Sequence, residues 1–142
     1  MDFPILSSLI LLPTVGALFI LLSKSSEKYN FKSSKYVALF VSFVNFFISI
    51  YLWYIFDPNS TSFQFVENRL WLQGFVNYKV GIDGISILFI ILSTFIAPLC
   101  IISVNRTIKV RLKDFLIAIL VMESLMIGVF CSLDLVIFYL FF

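Results

Sequence analysis

One carboxylate lies within an otherwise apolar stretch, and its position suggests chemistry more strongly than any other. Glu123 follows the run Leu120-Val121-Met122, and the nearest charged residues along the chain are Asp114 and Asp134. No basic side chain of the same segment can therefore neutralise it. A charged carboxylate in a membrane interior costs about 2.5 to 3.5 kcal/mol on insertion scales, and such residues face a bundle interior or a water path. We predict that Glu123 carries protons, with a hydrogen-bonded tie between helices as the alternative.

The composition of the chain is that of a membrane protein. Of its 142 residues, 61% are hydrophobic and 13% are charged, whereas soluble domains have about 25% charged residues. A net charge of +2 gives no indication of nucleic-acid binding. The chain has no His, and the predicted helices place Cys100 and Cys131 near opposite faces of the membrane, so we expect neither a metal site nor a disulfide.

The predicted fold class is an all-α integral membrane protein with four transmembrane helices and the start of a fifth. A helix needs about 20 apolar residues to cross the hydrocarbon core. Such segments cover residues 4–22, 36–56, 84–104 and 114–131, while 134–142 is an incomplete fifth helix, too short to cross. We expect residues 1–142 to form one membrane domain within a larger helix bundle. Either a second polypeptide completes that bundle after Phe142, or the chain is a truncated form of the subunit.

The loops assign the two sides of the membrane. Two short loops on one side contain eight of the ten basic residues: Lys24, Lys28, Lys32, Lys35, Arg106, Lys109, Arg111 and Lys113. The positive-inside rule places that side in the cytoplasm or matrix. The loop 57–82 then lies on the outer side, where alternating apolar residues predict a short hairpin that turns at Gln73-Gly74.

Several polar residues in or beside the predicted helices have simple structural interpretations. Ser42, Asn45 and Ser49 lie at i, i+3 and i+7, which favours contact with a partner helix over an ion path. Asp83 precedes the third helix, where an N-cap is favoured over proton handling. Ser124 and Gly128 form a small-xxx-small pair, which lets another helix approach closely beside Glu123. Asp134 is predicted to cap the fifth helix.

The motifs of the whole chain together resemble those of a known family. They are Phe56-Asp57-Pro58, Phe63-Gln64-Phe65-Val66-Glu67, Trp71-Leu72, Gly81-Ile82-Asp83-Gly84-Ile85-Ser86, Met122-Glu123, Ile127-Gly128-Val129-Phe130, and the run from Asp134 to Phe142. They resemble the N-terminal part of the NADH-ubiquinone oxidoreductase chain 4 family, antiporter-like membrane subunits of respiratory complex I. The family has a further proton-handling glutamate directly after the position of Phe142, where this sequence stops.

The resemblance implies part of a proton-translocating subunit that couples electron transfer to proton pumping. It implies no cofactor in this chain, other complex I membrane subunits and lipids as partners, and no enzymatic activity of the chain alone. The expected location is the mitochondrial inner membrane with the N-terminus on the intermembrane-space side, or alternatively a bacterial inner membrane. Two other functions remain open: a subunit of a multi-subunit cation/proton antiporter, and a purely structural assembly piece.

Overall fold

A computed structural model describes residues 4–23, 30–72, 76–104 and 111–142. The predicted turn at Gln73-Gly74 lies outside these residues, as do Lys24, Lys28, Arg106 and Lys109 of the two basic loops.

Five helices make up most of the described chain: α1 (Ile5–Leu22), α2 (Asn30–Ile55), α3 (Gly84–Ser103), α4 (Leu112–Cys131) and α5 (Leu135–Phe141). The first four are long and apolar enough to cross a membrane, which confirms the predicted fold class. The helices α1 and α3 continue through Pro13 and Pro98. The second helix begins at Asn30, not at the predicted residue 36. Hydropathy marks only the part of a helix that lies in hydrocarbon, whereas the backbone bonds of the helix continue into the polar segment.

A two-stranded antiparallel hairpin connects α2 to α3, as the alternating residues predicted. Its strands are β1 (Gln64–Leu72) and β2 (Val76–Ile82). The register is irregular between Gln64 and Glu67, where Phe65 has a φ of 53°. A positive φ in a bulky residue is uncommon, and here it accompanies the bulge that redirects β1 after its first residue.

The hairpin holds one end of the helix bundle together. Glu67 of β1 accepts hydrogen bonds from the first backbone amides of α1, and the backbone N–H of Leu133 donates to the carbonyl of Lys79 in β2 at 3.0 Å. At the opposite end of the bundle, Lys113 Nζ donates to the carbonyls of Leu21 and Ser23 at 3.1 and 2.7 Å. A cation there also complements the C-terminal dipole of α1. We call these two ends the hairpin end and the opposite end.

Two apolar clusters fill the bundle, one toward each end. Near the hairpin end are Leu6, Leu9, Ile10, Leu52, Val80, Ile82, Ile87, Ile90, Ile127 and Cys131. Toward the opposite end are Ala17, Ile20, Ala38, Ala97, Ile101, Val104, Leu112, Leu116, Ile119 and Leu120. On α2, α3 and α4, buried polar residues fall between the members of the two clusters. The bundle is therefore divided near its middle by buried polar side chains.

Candidate functional site

The buried polar side chains join neighbouring helices. We define the polar layer as the six residues that form side-chain hydrogen bonds between helices in the bundle interior: Ser42, Asn45, Ser49, Thr94, Glu123 and Ser124. Each is at most 2% exposed. Because unpaired polar groups in an apolar interior cost free energy, such a layer fixes how the helices are positioned relative to one another.

Glu123 is the acidic member of the polar layer and is 2% exposed. Its Oε1 accepts a hydrogen bond from Asn45 Nδ2 at 2.8 Å, and its Oε2 accepts one from Ser42 Oγ at 3.4 Å. Both donors belong to α2. Within the described chain the ion pair formed is Arg111 with Asp114 at 2.9 Å on the exposed surface, and Glu123 has no cationic partner. The carboxyl group is thus held by neutral donors alone.

Ser42, Asn45 and Ser49 of α2 contact other helices, as their spacing predicted, but the spacing could not identify the partner residues. Ser42 and Asn45 face Glu123 of α4, whereas Ser49 Oγ lies 2.8 Å from Thr94 Oγ1 of α3. Thr94 was not predicted as part of the site. Its only signal in the sequence is a polar residue in an apolar helix, which also describes Ser93, and Ser93 donates to the Phe89 carbonyl of its own helix.

The small residues beside Glu123 contact two different neighbours, which confirms the predicted close approach. Ser124 Oγ donates to the Ile10 carbonyl of α1 at 2.6 Å. Gly128 lies against the ring of Phe141 in α5, so that a Cβ on Gly128 would meet ring carbons at 2.6 Å. The helix α4 therefore contacts α1 and α5 within about 1.5 turns of Glu123.

Two of the acidic residues have the capping roles expected of them. Asp83 Oδ1 accepts a hydrogen bond from the backbone N–H of Ser86 at 2.7 Å. Hydrogen bonding to Ser86 holds the pKa of Asp83 below its ordinary value of 3.8. Asp134 Oδ1 accepts from the backbone N–H of Val136 at 2.8 Å and caps α5. Both predictions are confirmed, and neither residue belongs to the polar layer.

A second cluster of polar side chains lies at the hairpin end and was not predicted from the sequence. Glu67 accepts from the backbone amides of Leu6 and Ser7 and from the hydroxyl of Ser7, while Ser7 Oγ lies 3.1 Å from the Tyr78 hydroxyl. Burial of Tyr78 raises the pKa of its hydroxyl above 10.0. More than fifty residues separate Ser7 from its hairpin partners, and no periodicity in the sequence relates them.

A cleft of about 490 Å³ lies between the hairpin, α1, α4 and α5. Arg69, Tyr78 and Ser7 line it together with apolar residues such as Leu125 and Leu140. Glu123 does not line this cleft, because its side chain faces α2. In the described ranges, no group of three His, Cys, Asp or Glu residues is arranged to hold a metal ion.

Over nearly its whole length, the chain is similar to proteins named NADH-quinone oxidoreductase subunit M or NADH-ubiquinone oxidoreductase chain 4. It is 46% identical over 139 residues to NADH-quinone oxidoreductase subunit M of Rhodobacter capsulatus, covering 97% of this chain and 27% of that protein. It is 42% identical to subunit M of Rickettsia prowazekii, covering 100% and 29%. It is also 42% identical to NADH-ubiquinone oxidoreductase chain 4 of Marchantia polymorpha, covering 96% and 27%.

No family model matches the chain. The chain spans less than a third of the length of these curated relatives. An identity of 42–46% over 96–100% of the chain confirms the resemblance that its motifs predicted. The chain is a homologue of NADH-quinone oxidoreductase subunit M and NADH-ubiquinone oxidoreductase chain 4.

Proposed function

We propose that this chain is part of a proton-translocating, antiporter-like membrane subunit of respiratory complex I, and that Glu123 carries protons in it. The names of the relatives support membership of an NADH:quinone oxidoreductase. The chain contributes to proton translocation and not to the redox reaction. Its partners are the other membrane subunits of the complex and the surrounding lipids, in a mitochondrial or bacterial inner membrane. The hairpin end faces the intermembrane space or periplasm.

The single observation that carries this proposal is the position of Glu123 between the two apolar clusters. The carboxyl group lies on α4 between Leu120 of one cluster and Ile127 of the other, and is 2% exposed. A structural tie between two helices needs only a neutral pair such as Ser49 and Thr94, which this bundle also contains. An ionisable group at the same depth costs more, and its distinctive chemical property is that it can bind and release a proton.

Glu123 serves as one step of a longer proton path. Its side chain is 2% exposed, and Asn45 and Ser42 of α2 each donate to one of its two oxygens. No described residue of the spans supplies a cation to it. Other groups of the assembly deliver the proton to Glu123 and accept it.

The test is Glu123→Gln in the assembled, membrane-embedded complex that contains this chain. Glutamine keeps the size of the side chain and its capacity to accept from Asn45, but it cannot carry a proton. We expect normal assembly and a lower number of protons translocated per NADH oxidised. The measurement pairs NADH oxidation with quenching of a ΔpH-sensitive dye in sealed vesicles.

Asp114→Asn is the matched control, because Asp114 is an acidic residue of the same helix that is exposed and paired with Arg111. It should leave the ratio of protons to NADH unchanged. Unchanged translocation in Glu123→Gln at unchanged assembly would sink the proposal. Loss of assembled complex, with the ratio preserved in what remains, would assign Glu123 the role of a structural tie instead.

A further inference from the structure

The two side chains that hold Glu123 share one chemical property. Asn45 and Ser42 are neutral, and each can donate or accept a hydrogen bond. A lysine or arginine in either position would only donate, and it would favour the ionised carboxylate over the neutral acid. The contacts of Glu123 are therefore compatible with both of its protonation states.

Asn45 has a further feature, which is an acceptor without a partner. Its Nδ2 donates to Glu123 Oε1 at 2.8 Å, while its Oδ1 is buried and makes no hydrogen bond with any described residue. Buried polar atoms are almost always paired, so an unpaired amide oxygen beside a buried acid needs a physical reason. Turning the amide by 180° would bring Oδ1 to the carboxyl group, and no existing bond of Oδ1 opposes that rotation.

We propose that Asn45 is the positioning residue of Glu123, and that its amide turns with the protonation state of the acid. With the ionised carboxylate, Nδ2 donates to Oε1. With the protonated acid, the carboxyl O–H donates to Oδ1 of the turned amide. Only Glu123 gains or loses the proton. Asn45 changes from hydrogen-bond donor to hydrogen-bond acceptor, and it neither gains nor loses a proton. This inference rests on the proposed function, since it requires a Glu123 that changes its protonation state.

The packing of α2 confines the change to the amide. One turn beyond Asn45, Ser49 bonds both the Phe46 carbonyl and Thr94 of α3, and so fixes α2 against its neighbour. One turn before Asn45, Val41 packs closely against Gly16 of α1. A Cβ added to Gly16 would lie 2.8 Å from the Val41 side chain. With α2 held on both sides, rotation of the terminal amide is a far smaller movement than a shift of the helix.

The experiment uses the assembled complex with two variants at this contact. Asn45→Leu replaces the amide with an apolar side chain of similar size, which has neither donor nor acceptor. The paired exchange of Asn45→Asp with Glu123→Gln keeps one carboxyl and one amide across the same contact, with their helices reversed. Ser93→Ala is the control, since Ser93 is a buried hydroxyl of α3 that bonds only its own helix.

We expect Asn45→Leu to assemble and to translocate fewer protons per NADH, and the paired exchange to recover translocation that Glu123→Gln alone has lost. The infrared C=O band of protonated Glu123, identified by its absence in Glu123→Gln, should move to higher frequency in Asn45→Leu as its hydrogen bond is lost. Ser93→Ala should change neither readout.

The outcomes separate the two proposals. Normal translocation in Glu123→Gln overturns the proposed function, and the inference fails with it. Defective Glu123→Gln together with normal Asn45→Leu overturns the role of Asn45 alone. If Asn45→Leu reduces assembly, the paired exchange decides by itself: recovery supports the pair, and translocation no better than in Glu123→Gln contradicts it.

Discussion

Replacement of Glu67 should make local opening of the first turn of α1 more frequent. The helix begins after Pro4, which supplies no side-chain cap, so the backbone amides of Leu6 and Ser7 depend on a carboxylate from β1. Glu67 therefore acts as an N-cap supplied by another element. Loss of a capping side chain costs about 0.5–2 kcal/mol. Loss of a negative charge at a helix N-terminus costs about 0.3–1 kcal/mol more.

The two contributions give an opening free energy that is lower by about 1–3 kcal/mol in Glu67→Ala, or about 5- to 150-fold more frequent opening of the first turn. Glu67→Gln keeps one acceptor oxygen and loses the charge, so it should show only the smaller effect of about 0.3–1 kcal/mol. Hydrogen exchange with mass spectrometry on the purified complex measures this directly, in peptides that contain Leu6 and Ser7.

Asn68→Ala is the control, because Asn68 is the exposed neighbour of Glu67 on β1 and makes no hydrogen bond to α1. It should exchange like the unmodified chain. Amides near Leu21, at the opposite end of α1, should remain protected in all three variants. Equal exchange of the first turn in Glu67→Ala and the unmodified chain would refute the assigned capping role.

Two further predictions concern helix ends and close packing. In Asp83→Asn, hydrogen exchange of the first turn of α3 should report a loss of about 0.3–1 kcal/mol at neutral pH. Because the folded pKa of Asp83 is depressed, this difference should persist above the ordinary value of 3.8 and vanish as pH falls through the lower folded pKa; a difference independent of pH would contradict it. In Gly128→Ala, displacement of the Phe141 ring should destabilise the α4–α5 contact by about 1–3 kcal/mol, seen as faster exchange in α5. Gly84→Ala, where no atom lies within 4 Å of the added Cβ, is its control, and equal exchange in the two variants would refute the packing argument.

Several features of this protein follow from local sequence alone. The four spans follow from runs of apolar residues, because a bilayer requires each crossing segment to satisfy its own backbone bonds within a helix. The caps at Asp83 and Asp134 follow likewise, since a capping side chain acts within three residues of its own position. The hairpin was visible in the alternation of its strands. Glu123 stood out because the cost of a buried carboxylate depends chiefly on its apolar surroundings, which the sequence displays.

Tertiary structure decided which residues meet. Asn45 and Glu123 are separated by 78 positions in the chain, and Glu67 and Leu6 by 61. Periodicity gives the face of a helix on which a residue lies, but the rotation and depth of that helix against its neighbours depend on packing of the whole bundle. The stripe on α2 could therefore be predicted to face a partner, whereas its contact with the acid of α4 required the assembled fold. The unpaired oxygen of Asn45 was likewise invisible in sequence, because pairing is a property of position in space and not of residue type.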